Sequence, residues 1–435
     1  MTSPTWQNWG RNQTASPREV ARPADAAAVA DLVGRAAADG RKVRAVGSGH
    51  SFTAAAVASD IQLRLDRLDR VMSADVSTGL VTVGAGMPLH RLNAELDAIG
   101  LSMTNLGDID AQTISGAVST GTHGTGEKLG GIATQIRGLQ LVLGNGSIAE
   151  IDRTTDTDLF NAARVGVGAF GVITAITLQC EPRFELTAVE EPMPIERVID
   201  EFDALADGNE HFEFYWFPHT DVALTKRNNR PAEGAATHRL PRWREWLDDE
   251  VLSNGLFELI QRYEHRRPAS IPRLNGLSAT TLSARSFTDV SHRVFVSPRR
   301  VRFREMEYAV PRSEIVNVFR EVRSWIQRSS TTISFPIEVR VAAADDIWLS
   351  TASGRDSGYL AVHQWHRVDY EPYFRAVEAI AGQVVGRPHW GKLHWLDAET
   401  LRDRYPSFAD AMRVRDRVDP HRVFSNAYTR QIFGD

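Results

Sequence analysis

The hexapeptide GVGAFG, Gly166–Gly171, fits the GxGxxG fingerprint of dinucleotide-binding Rossmann units letter for letter, yet its neighbours stand in the wrong order. A Rossmann unit places a strand before the glycines and a helix after them, so that the helix N-terminus meets the pyrophosphate. Here the helical DLFNAARV comes first and the strand VITAITL follows. That order excludes the unit and leaves a glycine-lined turn where backbone approaches a ligand. GTHGTGEK, Gly121–Lys128, fails as a P-loop for a related reason. The P-loop lysine must follow the second glycine directly and precede Ser or Thr, whereas Glu127 intervenes and Leu129 follows.

Two further turns combine glycine, small hydroxyl residues and a histidine: GSGHS at Gly47–Ser51 and STGTHGTG at Ser119–Gly126. Together they offer many backbone N–H donors to a pyrophosphate without a helix dipole. Each also reads as a tight turn with no ligand, and spacing alone leaves both readings open.

A chain of 435 residues exceeds one compact core and suggests two domains, or three. The first stretch alternates helix and strand. ADAAAVADLVGRAAADG is an amphipathic helix stopped by Gly40; KVRAVGSG, IQLRLDRL and GLVTVGAG are strands; PLHRLNAELDAIG is a helix opened by proline. LQLVLGNGSIAEI reads as a β-hairpin around Gly144–Gly146, and VITAITLQC closes this α/β unit. EPRFELTAVEEPMP carries the charge and proline of a crossing linker, which puts the main boundary near Glu181. Beyond it glycine thins and tryptophan becomes frequent. The helix RSEIVNVFREVRSWIQR and the strands FPIEVRVAA and GYLAVHQW predict an antiparallel sheet covered by helices. A helical region over residues 242–267 is apolar around much of its circumference, which reads as core packing, with a partner or membrane face as the alternative.

The net charge of −5 gives no reason to expect nucleic acid. A single cysteine excludes an internal disulfide and fits a reducing cytoplasm. Neither a secretory signal nor an apolar run long enough to span a membrane is visible, which leaves peripheral membrane contact open.

VRAVGSGHSF, NLGDIDAQTISGAVSTGTHGTG, GAFGVIT, PIEVR, RPHWGKLH and DPHRVFSNAYTRQIFG occur in this order along nearly the whole chain. In that ordered set the chain resembles the FAD-dependent aldonolactone oxidoreductases of the vanillyl-alcohol oxidase type, with the alditol oxidases nearby. The resemblance implies an α+β, two-domain flavoprotein. Residues 1–181 would bind FAD, 182–410 would form the substrate (cap) domain, and 411–435 would return to the FAD domain. It implies that Val46, Gly47, Ser48, Gly49, His50, Ser51 and Phe52 wrap the pyrophosphate and ribityl chain, with Ser115, Gly116, Thr120, Thr122, His123 and Gly124. Gly107 and Asp108 would lie near the flavin, and Gly171, Val172 and Ile173 near the adenine. His50 matches the histidine bonded to the flavin 8α carbon in many members, so a covalent FAD is expected. His123 is expected to support backbone or contact flavin rather than to catalyse. Asn426 and Tyr428 are expected either to touch FAD or to hold structure. Gly107 matches a position where glycine goes with oxygen access, although dehydrogenases carry it too.

Oxidising a secondary alcohol on flavin moves a hydride from carbon and removes the hydroxyl proton. The developing alkoxide needs cationic or donor groups, and a base must take the proton. Glu338 and Arg340 of PIEVR stand two apart on a strand and therefore share a face. Spacing alone favours a surface ion pair; the resemblance reverses this and makes them substrate-binding. It likewise gives Lys392 of HWGK to alkoxide stabilisation or flavin contact, and His363 becomes a candidate base or substrate donor. Histidines 363, 366, 389 and 394 lack HExxH spacing, so no metal is expected. The expected activity is oxidation of an aldono-1,4-lactone to an ascorbate-type product, with a sugar alcohol as the alternative substrate and dioxygen, a cytochrome or a quinone as acceptor. A non-catalytic flavoprotein is the reading from another class; PIEVR and HWGK argue against it.

Overall fold

The computed structural model describes residues 5–232, 234, 239, 257–281, 283–297 and 301–435. Of the helical region expected over residues 242–267, residues 242–256 lie outside them and the remainder is helical at Phe257–Arg266, with a separate helix at Ile271–Thr281.

The first half is built around two main sheets, with two short two-stranded pairs beside them. β1 (Glu19–Ala21), β2 (Val43–Val46) and β3 (Ile61–Arg64) form a parallel sheet in the order β1-β3-β2. Helix α1 (Ala26–Ala38) makes the parallel connection from β1 to β2. Asp25 caps it by accepting from the Ala28 N–H, and Val29, Leu32, Val33 and Ala36 form its buried stripe. An antiparallel sheet follows, made of β4 (Val71–Asp75), β5 (Leu80–Gly84), β6 (Ile136–Val142), β7 (Ile148–Asp152) and β8 (Val172–Gln179), in the order β7-β6-β8-β5-β4. The expected hairpin is β6–β7. The GVGAFG turn lies between a helix, Thr157–Ala163, and β8, the reverse of Rossmann order.

The presumed linker is instead a ten-residue strand, β9 (Glu185–Pro194), of the large sheet. Its alternate burial hides Leu186, Ala188 and Glu190, a period-two pattern that the charges and prolines disguised. Pro192 and Pro194 lie past the last residue paired with β12, where the strand keeps one ladder and tolerates a missing donor.

Eight antiparallel strands form that sheet: β9, β10 (His211–Trp216), β11 (Val222–Asn229), β12 (Arg285–Val290), β13 (Phe303–Pro311), β14 (Ile337–Ala342), β15 (Ser357–Trp365) and β16 (Arg387–Pro388), in the order β12-β9-β11-β10-β14-β15-β13-β16. The pleat separates two faces. Phe212, Phe214, Trp216, Met306, Tyr308, Ile337, Val339, Val341, Leu360 and Val362 form an apolar face, covered by helices that include Ile315–Arg328 and Glu371–Gly382. The opposite face carries charge and turns towards the glycine loops of the first half.

After the sheet, helices Ala398–Arg404, Phe408–Val418 and Ala427–Phe433 pack Leu401, Phe408, Val414, Ile432 and Phe433 into the first core. Among the described residues, no helix is long and apolar enough to cross a membrane.

Candidate active site

Glycine turns at the ends of β2 and β8 and around helix Ile114–Thr120 line one cleft. Its wall holds Val46, Gly47, Ser48, Gly49, His50, Ser51, Ser115, Gly116, Thr120, Gly171, Val172 and Ile173, so most of the residues expected to bind a cofactor converge here. A Cβ on Gly47 would lie 2.2 Å from Thr113 Oγ1, and Gly49 has φ +75°, so both positions demand glycine. The Thr113 hydroxyl is buried with no hydrogen-bond partner in the protein, a polar atom left for a ligand in the cleft wall. Val167 holds φ +50°, a strained conformation for a β-branched residue, and its carbonyl accepts from Arg44 at 2.9 Å. Arg44 also donates to the carbonyls of Gly168, Phe424 and Ala55, bolting three segments of the wall together. Glycine cradles and an orphaned hydroxyl, that of Thr113 at the N-cap of helix Ile114–Thr120, fit a pyrophosphate-bearing cofactor such as FAD.

His50 is partly buried in this wall, and burial pushes its pKa down. Its ring stacks on Trp9 with centroids 5.6 Å apart and planes 20° apart. Phe52 points away from the cleft into an aromatic cluster with Trp9, Phe303, Phe335 and Trp365. Asn426 caps the last helix and donates to the carbonyls of Ala54, Ala55 and Val57, while the Tyr428 hydroxyl donates to the Trp390 carbonyl. Asn426 thus braces the segment that follows His50 and Tyr428 the HWGK turn, and neither is among the residues that line the cleft.

The second group of expected residues lies on the charged face of the large sheet. Register places Arg340 opposite Glu213 and Tyr359, and Glu338 opposite Tyr215 and Ala361. It also places Glu305 opposite His363 and Glu307 opposite Ala361. One pleated surface therefore presents Glu213, Tyr215, Glu305, Glu307, Glu338, Arg340, Tyr359 and His363. The Arg340 guanidinium binds Glu338 through Nη2 and Glu213 Oε2 through Nε at 2.8 Å, with Asp108 at 3.7 Å. Burial would discharge it, but Glu338, Glu213 and Asp108 overcome that and raise its pKa well above the ordinary value. The Tyr215 hydroxyl lies 3.0 Å from Glu338 Oε1 and 3.2 Å from Glu213 Oε1.

Lys392 reaches this face from the HWGK turn. Its ammonium binds Glu305 closely and lies 3.6 Å from Glu307 Oε2. Burial opposes its charge, yet Glu305 and Glu307 raise its pKa. Glu305 is fully buried, which would raise its pKa, but Lys392 and then His363 carry it down to about 2. His363 lies 3.4 Å from Glu305 through Nε2 and 3.2 Å from the Pro336 carbonyl through Nδ1. Each of its ring nitrogens thus faces an acceptor within the protein.

His123 is held in the same way, between the Gly124 carbonyl at 2.8 Å and the Glu307 carboxylate. Thr122, Gly124, Gly107 and Asp108 belong to this loop layer and lie outside the cleft lining. A Cβ on Gly124 would strike the Leu106 carbonyl at 2.2 Å, so that glycine serves close packing. His123, Glu307 and His389 have ligand atoms within 4.8 Å of one another, a trio the sequence did not suggest. The Lys392 cation already faces Glu307 there, and burial lowers the His389 pKa to about 3.

Burying so many charges costs several kcal/mol per ion before pairing, and an apolar replacement is often as stable. Stability alone is therefore a weak reason for such a cluster. Sequence reasoning missed Glu213, Tyr215, Glu305 and Glu307, and in the cleft Trp6, Arg44, Arg64, Gln112, Thr113 and Ser119. For the acids a signal existed: HFEFYW and FREMEY place polar residues at alternate positions of otherwise apolar strands.

Comparison with known proteins gives two family matches. Residues 17–152 match the FAD binding domain, and residues 176–432 match D-arabinono-1,4-lactone oxidase. L-gulono-1,4-lactone dehydrogenase of Mycobacterium tuberculosis is 43% identical over 99% of this chain and 100% of its own length. L-gulonolactone oxidase of Bos taurus is 30% identical over 98% of both, and alditol oxidase of a Streptomyces species 29% over 98% of both. Cholesterol oxidase from B. sterolicum superposes with a TM-score of 0.83 at 16% identity, over 99% of this chain and 96% of that one.

Proposed function

The chain belongs to the D-arabinono-1,4-lactone oxidase family, and on that premise we propose that it oxidises a secondary hydroxyl of an aldono-1,4-lactone of the L-gulono, L-galactono or D-arabinono type, giving an ascorbate-type product. It is an FAD-dependent oxidoreductase with the vanillyl-alcohol oxidase fold. Bound FAD supplies the hydride acceptor, at its N5.

One observation carries the reading. A cation held between carboxylates, Lys392, and an arginine–glutamate pair, Arg340–Glu338, share one buried face against the loops of the glycine-lined cleft. Such an array suits an uncharged, hydroxyl-rich substrate: carboxylates accept from hydroxyls, while Arg340 and Lys392 donate to ring and carbonyl oxygens. The Lys392 ammonium stabilises negative charge developing on the reacting oxygen. Glu305 and Glu307 keep that ammonium charged and in place. Arg340 is fixed by two acids, so its remaining donors face the substrate without reorganisation. His363 supports Glu305 through Nε2. His50 is the tether for FAD, and the cleft glycines admit its pyrophosphate.

The two electrons pass to dioxygen or a quinone, or one at a time to a cytochrome. Turnover with an artificial acceptor tests the substrate class: L-gulono- and L-galactono-1,4-lactone should be oxidised far faster than xylitol or sorbitol. Turnover with the polyols alone would assign the chain to sugar alcohols, and turnover with neither would overturn the reading.

A further inference from the structure

Residues 6–15 precede the stretch that matches the FAD binding domain, which begins at residue 17. They form a small antiparallel hairpin, Trp6–Gln7 paired with Thr14–Ala15, folded over the turn that carries His50. The Trp9 N–H donates to the Gly49 carbonyl at 2.8 Å. Asn8 donates to the Ser51 carbonyl at 2.9 Å, and Asn12 and Gln13 donate to the Phe52 carbonyl at 2.7 and 3.2 Å. The Asn8 side chain in turn accepts from the Asn12 and Gln13 N–H groups, which closes the hairpin on itself. The carbonyls of Gly49, Ser51 and Phe52 are thus all engaged by this one segment.

The imidazole itself is held differently. Among the described residues no hydrogen bond fixes the His50 ring, and it follows a glycine with positive φ. What fixes its plane is the Trp9 indole, stacked at 5.6 Å. That indole is set in turn edge-on to Phe303 of β13, centroids 5.2 Å apart, and to Phe52 at 6.2 Å.

We propose that the N-terminal hairpin, through Trp9, seats the His50 imidazole for its bond to the flavin. The inference rests on His50 being the tether. The bond joins an imidazole nitrogen to the flavin 8α carbon. That carbon and the imidazole each lose a hydrogen as a proton, and the two electrons left behind pass to the electron acceptor of the catalytic cycle. Trp9 is a positioning residue: it removes rotational freedom from a ring that a glycine-flanked turn leaves loose, and it excludes water from one face.

The test compares the wild-type protein with Trp9→Ala, Trp9→Phe and His50→Ala. Total flavin per chain is measured by absorbance, and covalent flavin by fluorescence of the denatured polypeptide. The wild type should retain its flavin on denaturation and His50→Ala should retain none. Trp9→Ala should bind FAD yet lose about three- to tenfold in covalent fraction, the range an aromatic stack supports, and Trp9→Phe should restore it. Should Trp9→Ala not fold, Trp9→Leu, which keeps volume without a π face, is read the same way. Undiminished covalent flavin in the alanine or leucine variant overturns the role of Trp9. Complete release from the wild type overturns the tether instead, so the two failures are distinguishable.

Discussion

The main-chain N–H of Phe52 donates to the Gly391 carbonyl at 2.7 Å. This bond couples the turn carrying His50 to the turn carrying Lys392, although 342 positions separate His50 from Lys392 in the chain. The Thr53 hydroxyl adds a bond to the Trp390 carbonyl at 3.0 Å. The turn of the proposed cofactor tether and the turn of the proposed alkoxide-stabilising lysine thereby meet at one junction, which the C-terminal Asn426 and Tyr428 brace from behind.

Lys392 gives the account a pH signature. Glu305 and Glu307 raise its pKa against burial, so the ammonium persists through neutral pH and kcat/KM should fall only at strongly alkaline pH. Glu305→Gln removes the nearest carboxylate, and Glu307, Asp108, His123, His363 and His389 remain around the site. The alkaline limb should then move to lower pH, read from kcat/KM profiles of flavin-loaded enzyme. An unmoved limb would show that Glu305 does not hold the charge.

Glu305 also links acid stability to the site. Its pKa falls from 4.5 to about 2 on folding, so its contribution is complete above pH 4.5 and is lost as pH falls through about 2. Melting temperatures of Glu305→Gln should depend less on pH across that window than those of the wild type.

Arg340 is pinned by Glu213 and Glu338 through different nitrogens, a fork that lysine cannot reproduce. Arg340→Lys should lower kcat/KM by about 10- to 100-fold, the worth of one charge-assisted hydrogen bond, with flavin content unchanged. Wild-type kinetics would exclude a direct role.

Legibility in the sequence followed chemistry that stays local. Glycine turns declare themselves because a missing Cβ is a property of the residue, and Glu338 and Arg340 because a strand puts i and i+2 on one face. Glu213, Glu305 and Glu307 escaped because their meaning depends on which strands become neighbours, and β10, β13 and β14 come together from positions up to about 130 residues apart. β9 resembles a linker in sequence because its charges and prolines mask an alternation that only the partner strands β11 and β12 explain.

The cleft makes a steric prediction. Gly47→Ala should lose FAD, because the added Cβ would meet Thr113 Oγ1 at 2.2 Å. The double variant Gly47→Ala/Thr113→Ala removes the clashing hydroxyl and should recover part of the bound flavin by absorbance.

The most direct measurement is anaerobic mixing of the flavin-loaded protein with L-gulono- or L-galactono-1,4-lactone, followed by flavin absorbance. The account predicts rapid bleaching in the wild type, slowed by about 100- to 1000-fold in Lys392→Met, the loss expected on removing a group that stabilises the developing oxyanion. A flavin that stays oxidised with every aldonolactone, or an equal rate without Lys392, would contradict it.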